Sequence, residues 1–149
     1  MKILYTAEAT SEGGRYEARA YSSDGHLDVR IEPPAELGGP ADATATNPEQ
    51  LFAAGYAACF HSAMKTIAGM KKIDLTESLV RARVGLGVAE GGGFGLEAEL
   101  HVDVPGLDGE AAEKLVRRAH RRCPYSNATR DNMPLVLYVN GSALAAGES

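Results

Sequence analysis

The sequence predicts one α+β domain over residues 1–149, with the element order βββαββαβ. An antiparallel sheet is expected to wrap against a long buried helix in an intertwined homodimer. Three observations predict this class: short alternating runs near the N-terminus, a long uncharged segment with helical signals, and two long alternating stretches after it. A chain of 149 residues is long enough to bury a hydrophobic core without disulfide bonds.

The N-terminal third alternates apolar and polar residues in three short runs. The alternating runs cover residues 3–9, 16–21 and 27–31. The turns between them are predicted at Gly13-Gly14 and at Ser23-Asp24-Gly25. An alternation of period two is typical of strands with one packed face, so we expect a three-stranded meander. A loop rich in Pro, Gly and Ala follows over residues 32–46. Its length favours a functional role or a crossing between layers.

A helix is predicted to begin after Asn47 and to run to about Lys72. Asn47 is a capping residue, Pro48 suits the first helical position, and Glu49 is an acid in the first turn. Residues 51–60 carry no charge, which predicts a helix buried on all sides. A domain of this size rarely encloses a helix completely, so we expect the second subunit of a homodimer to cover its remaining face. The alternative is a helix enclosed within one subunit.

Two long strands and a second helix are predicted in the C-terminal half. The strands cover about 80–88 and 96–104 and are joined at Gly91–Gly93. Apolar and polar residues alternate along both, which is typical of strands with one packed and one solvent-exposed face. Arg81 and Arg83 are placed to face Glu97 and Glu99 across this hairpin. Asp108 caps a helix from about Gly109 to Arg122, and a last strand carries Leu135, Leu137 and Val139.

Charge excludes some classes of partner. The net charge is −5 and the pI is about 5.4, whereas phosphate binding needs a basic face, so nucleic acid is not expected as a partner. The basic cluster at residues 117–122 falls at a predicted helix C-terminus, where cations are favourable. No secretory signal follows Met1 and no apolar run is long enough for a bilayer. We therefore expect a cytoplasmic protein with no membrane partner.

Cys59 and Cys123 are the two cysteines of the chain. Cys59 lies in the uncharged helix, and Cys123 continues the apolar face of the second helix, so both thiols are predicted to point inward. A structural disulfide is not expected in a reducing compartment. Three interpretations stay open: inert core thiols, zinc ligands together with His61 and His120, or a redox pair. Zinc is disfavoured because residues two apart on a helix diverge by roughly 200°.

A redox pair needs a cation near the attacking sulfur. The nucleophile is the thiolate, and burial raises the pKa of a thiol. A cation about 4 Å away contributes up to roughly 4 kcal/mol at an effective dielectric near 20, or about 3 pKa units. The arginines that qualify from the pattern are Arg15, Arg19, Arg30, Arg81 and Arg130.

Two stretches resemble the cysteine motifs of a known family. They are Asn47–Phe60, NPEQLFAAGYAACF, and Cys123–Thr129, CPYSNAT. They resemble the motifs of the organic hydroperoxide resistance proteins, a branch of the osmotically inducible protein superfamily. Shorter matches at 4–10, 13–15, 36–39 and 93–97 extend the resemblance over nearly the whole chain. Asp131 stands where such proteins often have glycine, a difference that touches none of the proposed roles.

The resemblance implies a Cys-based peroxidase that reduces alkyl and fatty-acid hydroperoxides. By analogy, Cys59 attacks the peroxide, and its sulfenic acid condenses with Cys123 to an intrachain disulfide. Arg15 then stabilises the thiolate, and Glu49 pairs with Arg15 and orients it. Because Glu49 offsets part of the arginine's charge, its benefit is expected to be positional.

The pocket and the reductant complete these expectations. The apolar residues predicted to line the pocket are Phe52, Tyr56 and Phe60, with Tyr125 and Met133 as further contacts. An apolar wall favours organic hydroperoxides over hydrogen peroxide. The resemblance implies reduction by a dithiol, a dihydrolipoyl group on a lipoylated protein. Neither a metal nor a prosthetic group is expected.

Two other function classes compete with the peroxidase. A non-catalytic binding protein on the same fold would not need Arg15, Glu49, Cys59 and Cys123 together. A thiol hydrolase or acyl transferase would need a base beside Cys59, and His61 is predicted to lie on another side of the helix.

Overall fold

The computed structural model describes residues 1–40 and 44–145. These residues contain three α-helices and two β-sheets, which confirms the α+β class. They fall into two compact units, Met1–Leu51 and Phe52–Ser149, each with its own sheet. The single domain over residues 1–149 stays a prediction. Residues 41–43 of the predicted loop lie outside the described residues.

The first unit contains the predicted three-stranded meander. Its strands are β1 (Ala9–Glu12), β2 (Ala18–Ser22) and β3 (Asp28–Ile31), antiparallel in the order β1-β2-β3. The prediction that the first strand begins near residue 3 is wrong. Strand β2 ends at Ser22, opposite Ala9, so among the described residues of this unit no strand lies beside the residues before Ala9 to complete a ladder. Ile3 and Tyr5 are correspondingly exposed.

The first α-helix, α1 (Pro48–Met70), begins as the sequence predicts. A short 3-10 turn at Ala35–Leu37, within the predicted loop, precedes it. The Asn47 Oδ1 accepts a hydrogen bond from the Gln50 backbone N–H at 2.8 Å, the expected cap. The helix ends two residues before Lys72, whose φ of 56° lies in the left-handed region and cannot continue it.

The second unit contains a four-stranded sheet that is not wholly antiparallel. Its strands, in spatial order, are β4 (Leu79–Val88), β5 (Phe94–Asp103), β6 (Leu135–Val139) and β7 (Ser142–Ala143). β5 and β6 run parallel, which corrects the antiparallel sheet predicted above. Two helices, α2 (Gly109–Arg122) and α3 (Pro124–Thr129), connect β5 to β6. A helical crossover of this kind joins parallel neighbours.

The predicted order βββαββαβ omits α3 and β7. Helix α2 has the predicted bounds, and the Asp108 side chain caps it by accepting from the Ala111 N–H at 2.9 Å. Pro124 follows the end of α2 and opens α3, because proline suits the first position of a helix. Strand β7 has two residues, too few to show an alternation.

The β4–β5 hairpin confirms one of the two predicted charge pairs. Arg83 lies opposite Glu99, and Nη1 is 3.0 Å from Oε2. Arg81 instead lies opposite His101, so the prediction that it faces one of the two glutamates is wrong. In this register Gly85 lies opposite Glu97, and the pairing ends with Val88 opposite Phe94.

One face of α1 contributes to the core of the second unit, together with β5 and α2. The largest fully buried side chains there are Tyr56, Phe60, Met64, Leu100, Val102, Val104 and Val116. Ala54 and Ala58 on the same helix are exposed in the single chain. These two positions of the helix are therefore not covered in the single chain, and their covering by a second subunit stays a prediction. Among the described residues, no helix is both long and apolar enough to cross a membrane.

Candidate functional site

The two cysteine sulfurs of the second unit lie side by side. Cys59 projects from the middle of α1, and Cys123 lies at the junction of α2 and α3, where its N–H donates to the Ala119 carbonyl at 2.8 Å. The Sγ atoms are 3.6 Å apart, and both thiols are free. A disulfide is about 2.05 Å long, so the sulfurs need to approach by roughly 1.5 Å to bond. The residues are 64 positions apart in the sequence.

The two thiols differ in exposure. Cys123 is 0% exposed, as expected for a residue on the apolar face of α2, whereas Cys59 is only partly buried. Burial raises the pKa of the Cys59 thiol, and the neighbouring Cys123 thiol raises it further. The Tyr125 backbone N–H donates a hydrogen bond to the Cys59 sulfur and lowers this pKa. The net effect within this environment favours the neutral thiol.

Tyr125 lies against α1 at Gly55, one helical turn before Cys59. A Cβ atom at Gly55 would lie 3.1 Å from the Tyr125 hydroxyl oxygen and 3.2 Å from Cε2, so glycine permits the ring to approach the helix this closely. The ring centroids of Phe52 and Tyr56 are 6.1 and 5.9 Å from that of Tyr125. This three-ring cluster holds the start of α3 next to Cys59.

A buried hydroxyl network also joins α3 to α1. The Tyr56 Oη lies 3.0 Å from the Ser126 Oγ and 3.4 Å from the Thr129 Oγ1. Tyr56 and Ser126 are both 0% exposed, and a buried hydroxyl needs a hydrogen-bond partner. No local pattern in the sequence predicts a role for Gly55, Ser126 or Thr129. They do fall within the two motifs that carry the family resemblance, which was the only signal available for them.

The residues predicted to line a substrate pocket divide into two groups. Tyr56 and Phe60 are fully buried core residues, whereas Phe52 is partly buried and Tyr125 is 39% exposed. A cavity of about 830 Å³ in the second unit is lined by Phe52, by Met133 and by residues of the β4–β5 hairpin. Their contacts with a substrate stay a prediction.

Arg15 and Glu49 belong to the first unit. The Arg15 Nη2 donates to the Leu37 carbonyl at 3.5 Å, and its guanidinium carbon lies 5.8 Å from the centroid of the Tyr16 ring. Glu49 lies in the first turn of α1, where an acid is favourable. Among the described residues Arg15 and Glu49 form no ion pair with each other. Their predicted pairing stays a prediction.

Besides Arg15, four arginines are candidates from the sequence for the cation that activates Cys59. Three of them form an ion pair or a hydrogen bond with another residue. Arg19 forms a bidentate ion pair with Asp28, in which Nε lies 2.7 Å from Oδ1 and Nη2 lies 2.6 Å from Oδ2. Arg30 pairs with Glu32 at 2.9 Å. The Arg130 Nη2 donates to the His120 carbonyl at 3.2 Å.

The histidines considered as zinc ligands or as a base take other positions. The His61 Nε2 lies 2.9 Å from the Ser78 Oγ. Burial and the nearby Lys65 lower the pKa of His61. In residues 1–40 and 44–145, no group of three or more His, Cys, Asp or Glu side chains is arranged to hold a metal ion. The zinc site considered above, which required His61 and His120 beside the two cysteines, is therefore not assembled.

Comparison with known proteins places this geometry in a family. Residues 39–137 match the OsmC-like protein family. An organic hydroperoxide resistance protein of Xanthomonas axonopodis pv. citri (strain 306) is 53% identical over 137 residues, which cover 91% of this chain and 94% of that protein. The organic hydroperoxide resistance protein OhrB of Bacillus subtilis (strain 168) is 45% identical, covering 90% of this chain and 96% of its own.

Solved structures agree with this comparison. The crystal structure of an organic hydroperoxide resistance protein from Elizabethkingia anophelis superposes with a TM-score of 0.90 at 48% identity, covering 95% of this chain and all of that one. The crystal structure of Bacillus subtilis OhrB gives a TM-score of 0.82 at 43% identity, covering 93% and 100% of the two chains. The chain belongs to the OsmC-like family and, within it, to the organic hydroperoxide resistance proteins.

Proposed function

We propose that this protein is a thiol-dependent peroxidase that reduces organic hydroperoxides to alcohols in defence against oxidative stress. The observation that carries the proposal is the 3.6 Å separation of two free sulfurs, one partly exposed and one buried. The names of the relatives, which refer to resistance against organic hydroperoxides, support the same substrate class.

The chemistry requires two steps on these sulfurs. The Cys59 thiolate attacks the terminal oxygen of ROOH, the O–O bond breaks, and the departing oxygen takes a proton to leave as the alcohol ROH. Cys59 is now a sulfenic acid. The Cys123 thiol attacks this sulfur, water leaves, and the Cys59–Cys123 disulfide forms. The peroxide has gained two electrons from the two cysteines.

Cys59 needs a cation, because burial raises its pKa and the reactive form is the thiolate. In this proposal Arg15 supplies the positive charge and polarises the peroxide, and Glu49 holds the arginine in one rotamer. The support for these two roles is the family resemblance of the segments that carry them, together with the electrostatic requirement at Cys59.

The substrate and the reductant follow from the surroundings of Cys59. In this proposal the alkyl part of the peroxide contacts the apolar side chains of Phe52, Tyr56, Phe60 and Tyr125. A dithiol, a dihydrolipoyl group on a lipoylated protein, reopens the disulfide. The protein acts as a cytoplasmic homodimer, and no metal or prosthetic group takes part in the chemistry.

Thiol counting tests the proposal directly. Reduced protein is treated with one equivalent of an alkyl hydroperoxide, free thiols are titrated, and the product is mapped by mass spectrometry without reduction. We expect the loss of two thiols and a crosslink between Cys59 and Cys123 within one chain. Two unchanged thiols would overturn the peroxidase and favour the binding-protein alternative.

A further inference from the structure

The two sulfurs of the proposed disulfide differ in how an incoming reductant reaches them. Cys123 is 0% exposed, at the buried junction of α2 and α3. Cys59 is partly exposed. The sulfurs are already within 3.6 Å, so disulfide formation requires only a short approach and leaves this difference in place.

Thiol–disulfide exchange imposes a direction of attack as well as a need for access. The entering, attacked and leaving sulfurs lie nearly in line, and the rate depends on which sulfur is accessible. To attack Cys123, a thiolate would have to approach from behind it, on the side away from Cys59. A sulfur with no exposed surface offers no such approach. To attack Cys59, the thiolate enters through the exposed side of that residue and displaces Cys123.

We infer that the reductant attacks Cys59, so that Cys59 is both the residue oxidised by the peroxide and the electrophile of the reductive step, with Cys123 as the leaving group. This inference rests on the proposed function, because it requires the Cys59–Cys123 disulfide. The reductant thiolate forms a new S–S bond to Cys59 while the Cys59–Cys123 bond breaks. Cys123 leaves with the electron pair and takes up a proton. The second thiol of a dithiol reductant then displaces Cys59 and closes the reductant's own disulfide.

A monothiol isolates the first of these steps. The protein is oxidised with one equivalent of alkyl hydroperoxide, and disulfide formation is checked by thiol counting. It is then exposed briefly to 2-mercaptoethanol and quenched with N-ethylmaleimide under denaturing conditions. Trypsin separates the two cysteines, because Cys59 lies in the fragment 31–65 and Cys123 in the fragment 123–130. Mass spectrometry without reduction then locates the mercaptoethanol adduct and the maleimide.

We expect the mercaptoethanol on the 31–65 fragment and the maleimide on the 123–130 fragment. The reverse labelling, or comparable adducts on both fragments, would overturn the inference. Oxidised protein unfolded in urea before the monothiol is added is the control, and it is expected to give adducts on both cysteines. Selectivity for Cys59 that persists in urea would show that burial is not its cause and would also overturn the inference. If no disulfide forms with peroxide, the proposed function itself fails, an outcome distinct from these.

Discussion

Cys59 is exposed enough to meet a peroxide yet buried enough to have its pKa raised. Burial favours the neutral thiol, whereas the Tyr125 N–H favours the thiolate. The thiolate fraction, and with it the rate of attack on peroxide, therefore increases as the pH rises through the Cys59 pKa. A rate that is high at neutral pH therefore requires a further source of positive potential, the role that the proposal gives to Arg15.

Serine substitutions separate the roles of the two cysteines. Cys59→Ser is expected to abolish turnover of alkyl hydroperoxide, because a hydroxyl does not replace the thiolate as the nucleophile. Cys123→Ser is expected to allow one oxidation and then to stall, with the sulfenic acid on Cys59 unresolved. Turnover with a dithiol is measured in both, and a dimedone adduct identifies the sulfenic acid. Normal turnover of Cys123→Ser would contradict the resolving role of Cys123.

The proposed role of Arg15 makes a prediction about the pH profile. Arg15→Ala is expected to slow the first oxidation at neutral pH and to move its profile to higher pH, by up to about 3 units if the cation lies about 4 Å from the sulfur. The measurement is stopped-flow oxidation of reduced protein across pH, with circular dichroism to check the fold. Arg83→Ala, which removes an exposed arginine of β4, is the control and should leave the profile in place. An unmoved profile for Arg15→Ala would mean that another cation activates Cys59.

At the scale of the elements, α3 connects the two cysteines. It begins at Pro124, directly after Cys123, and its second residue, Tyr125, donates to Cys59. The buried Tyr56–Ser126 hydrogen bond and the Tyr125 ring over Gly55 fasten this short helix to α1. Six residues are too few for a helix to be stable alone, so these tertiary contacts maintain its position.

Two glycines of α1, Gly55 and Gly69, provide a matched pair for testing the contact between Tyr125 and α1. An alanine is better than glycine within a helix by up to about 1 kcal/mol, and a Cβ at Gly69 meets nothing within 4 Å. Gly69→Ala should therefore be neutral or stabilising. Gly55→Ala should displace Tyr125, lower the free energy of unfolding by about 1 kcal/mol relative to Gly69→Ala, and slow the oxidation of Cys59. Urea unfolding and stopped-flow oxidation measure both effects. Equal stability and equal rates in the two variants would show that the packing of Tyr125 against Gly55 contributes neither to stability nor to the oxidation of Cys59.

Local signals in the sequence predicted the elements but not all of their contacts. The cap at Asn47, the bounds of α2 and the inward direction of Cys123 follow from residues a few positions apart, and the structure confirms them. The parallel pairing of β5 with β6 and the shorter first strand depend on which strands become neighbours, which no local pattern contains. The proximity of Cys59 to Cys123 across 64 residues was likewise expected only from the family resemblance.

At the scale of the whole molecule, the single chain leaves apolar residues uncovered. Ala54 and Ala58, one turn apart on α1, are exposed, although the ten residues 51–60 carry no charge. Ile3, Leu4 and Tyr5, in the first unit, are 62%, 89% and 79% exposed. Large exposed apolar patches on a protein are typical of interfaces with another chain. These positions support the homodimer in the proposed function.

Ala58→Arg tests the homodimer through the uncovered face of α1. If a second subunit covers this face, a long charged side chain at Ala58 has neither room nor a partner, and its burial costs several kcal/mol. We therefore expect wild-type protein to sediment as a dimer and Ala58→Arg to shift toward the monomer at equal concentration. Ala143→Arg, at an exposed alanine of β7, introduces the same side chain and should stay dimeric. Sedimentation velocity over a range of concentrations measures all three. A wild-type monomer throughout that range would contradict the dimer, and a fully dimeric Ala58→Arg would show that this face of α1 is not part of its interface.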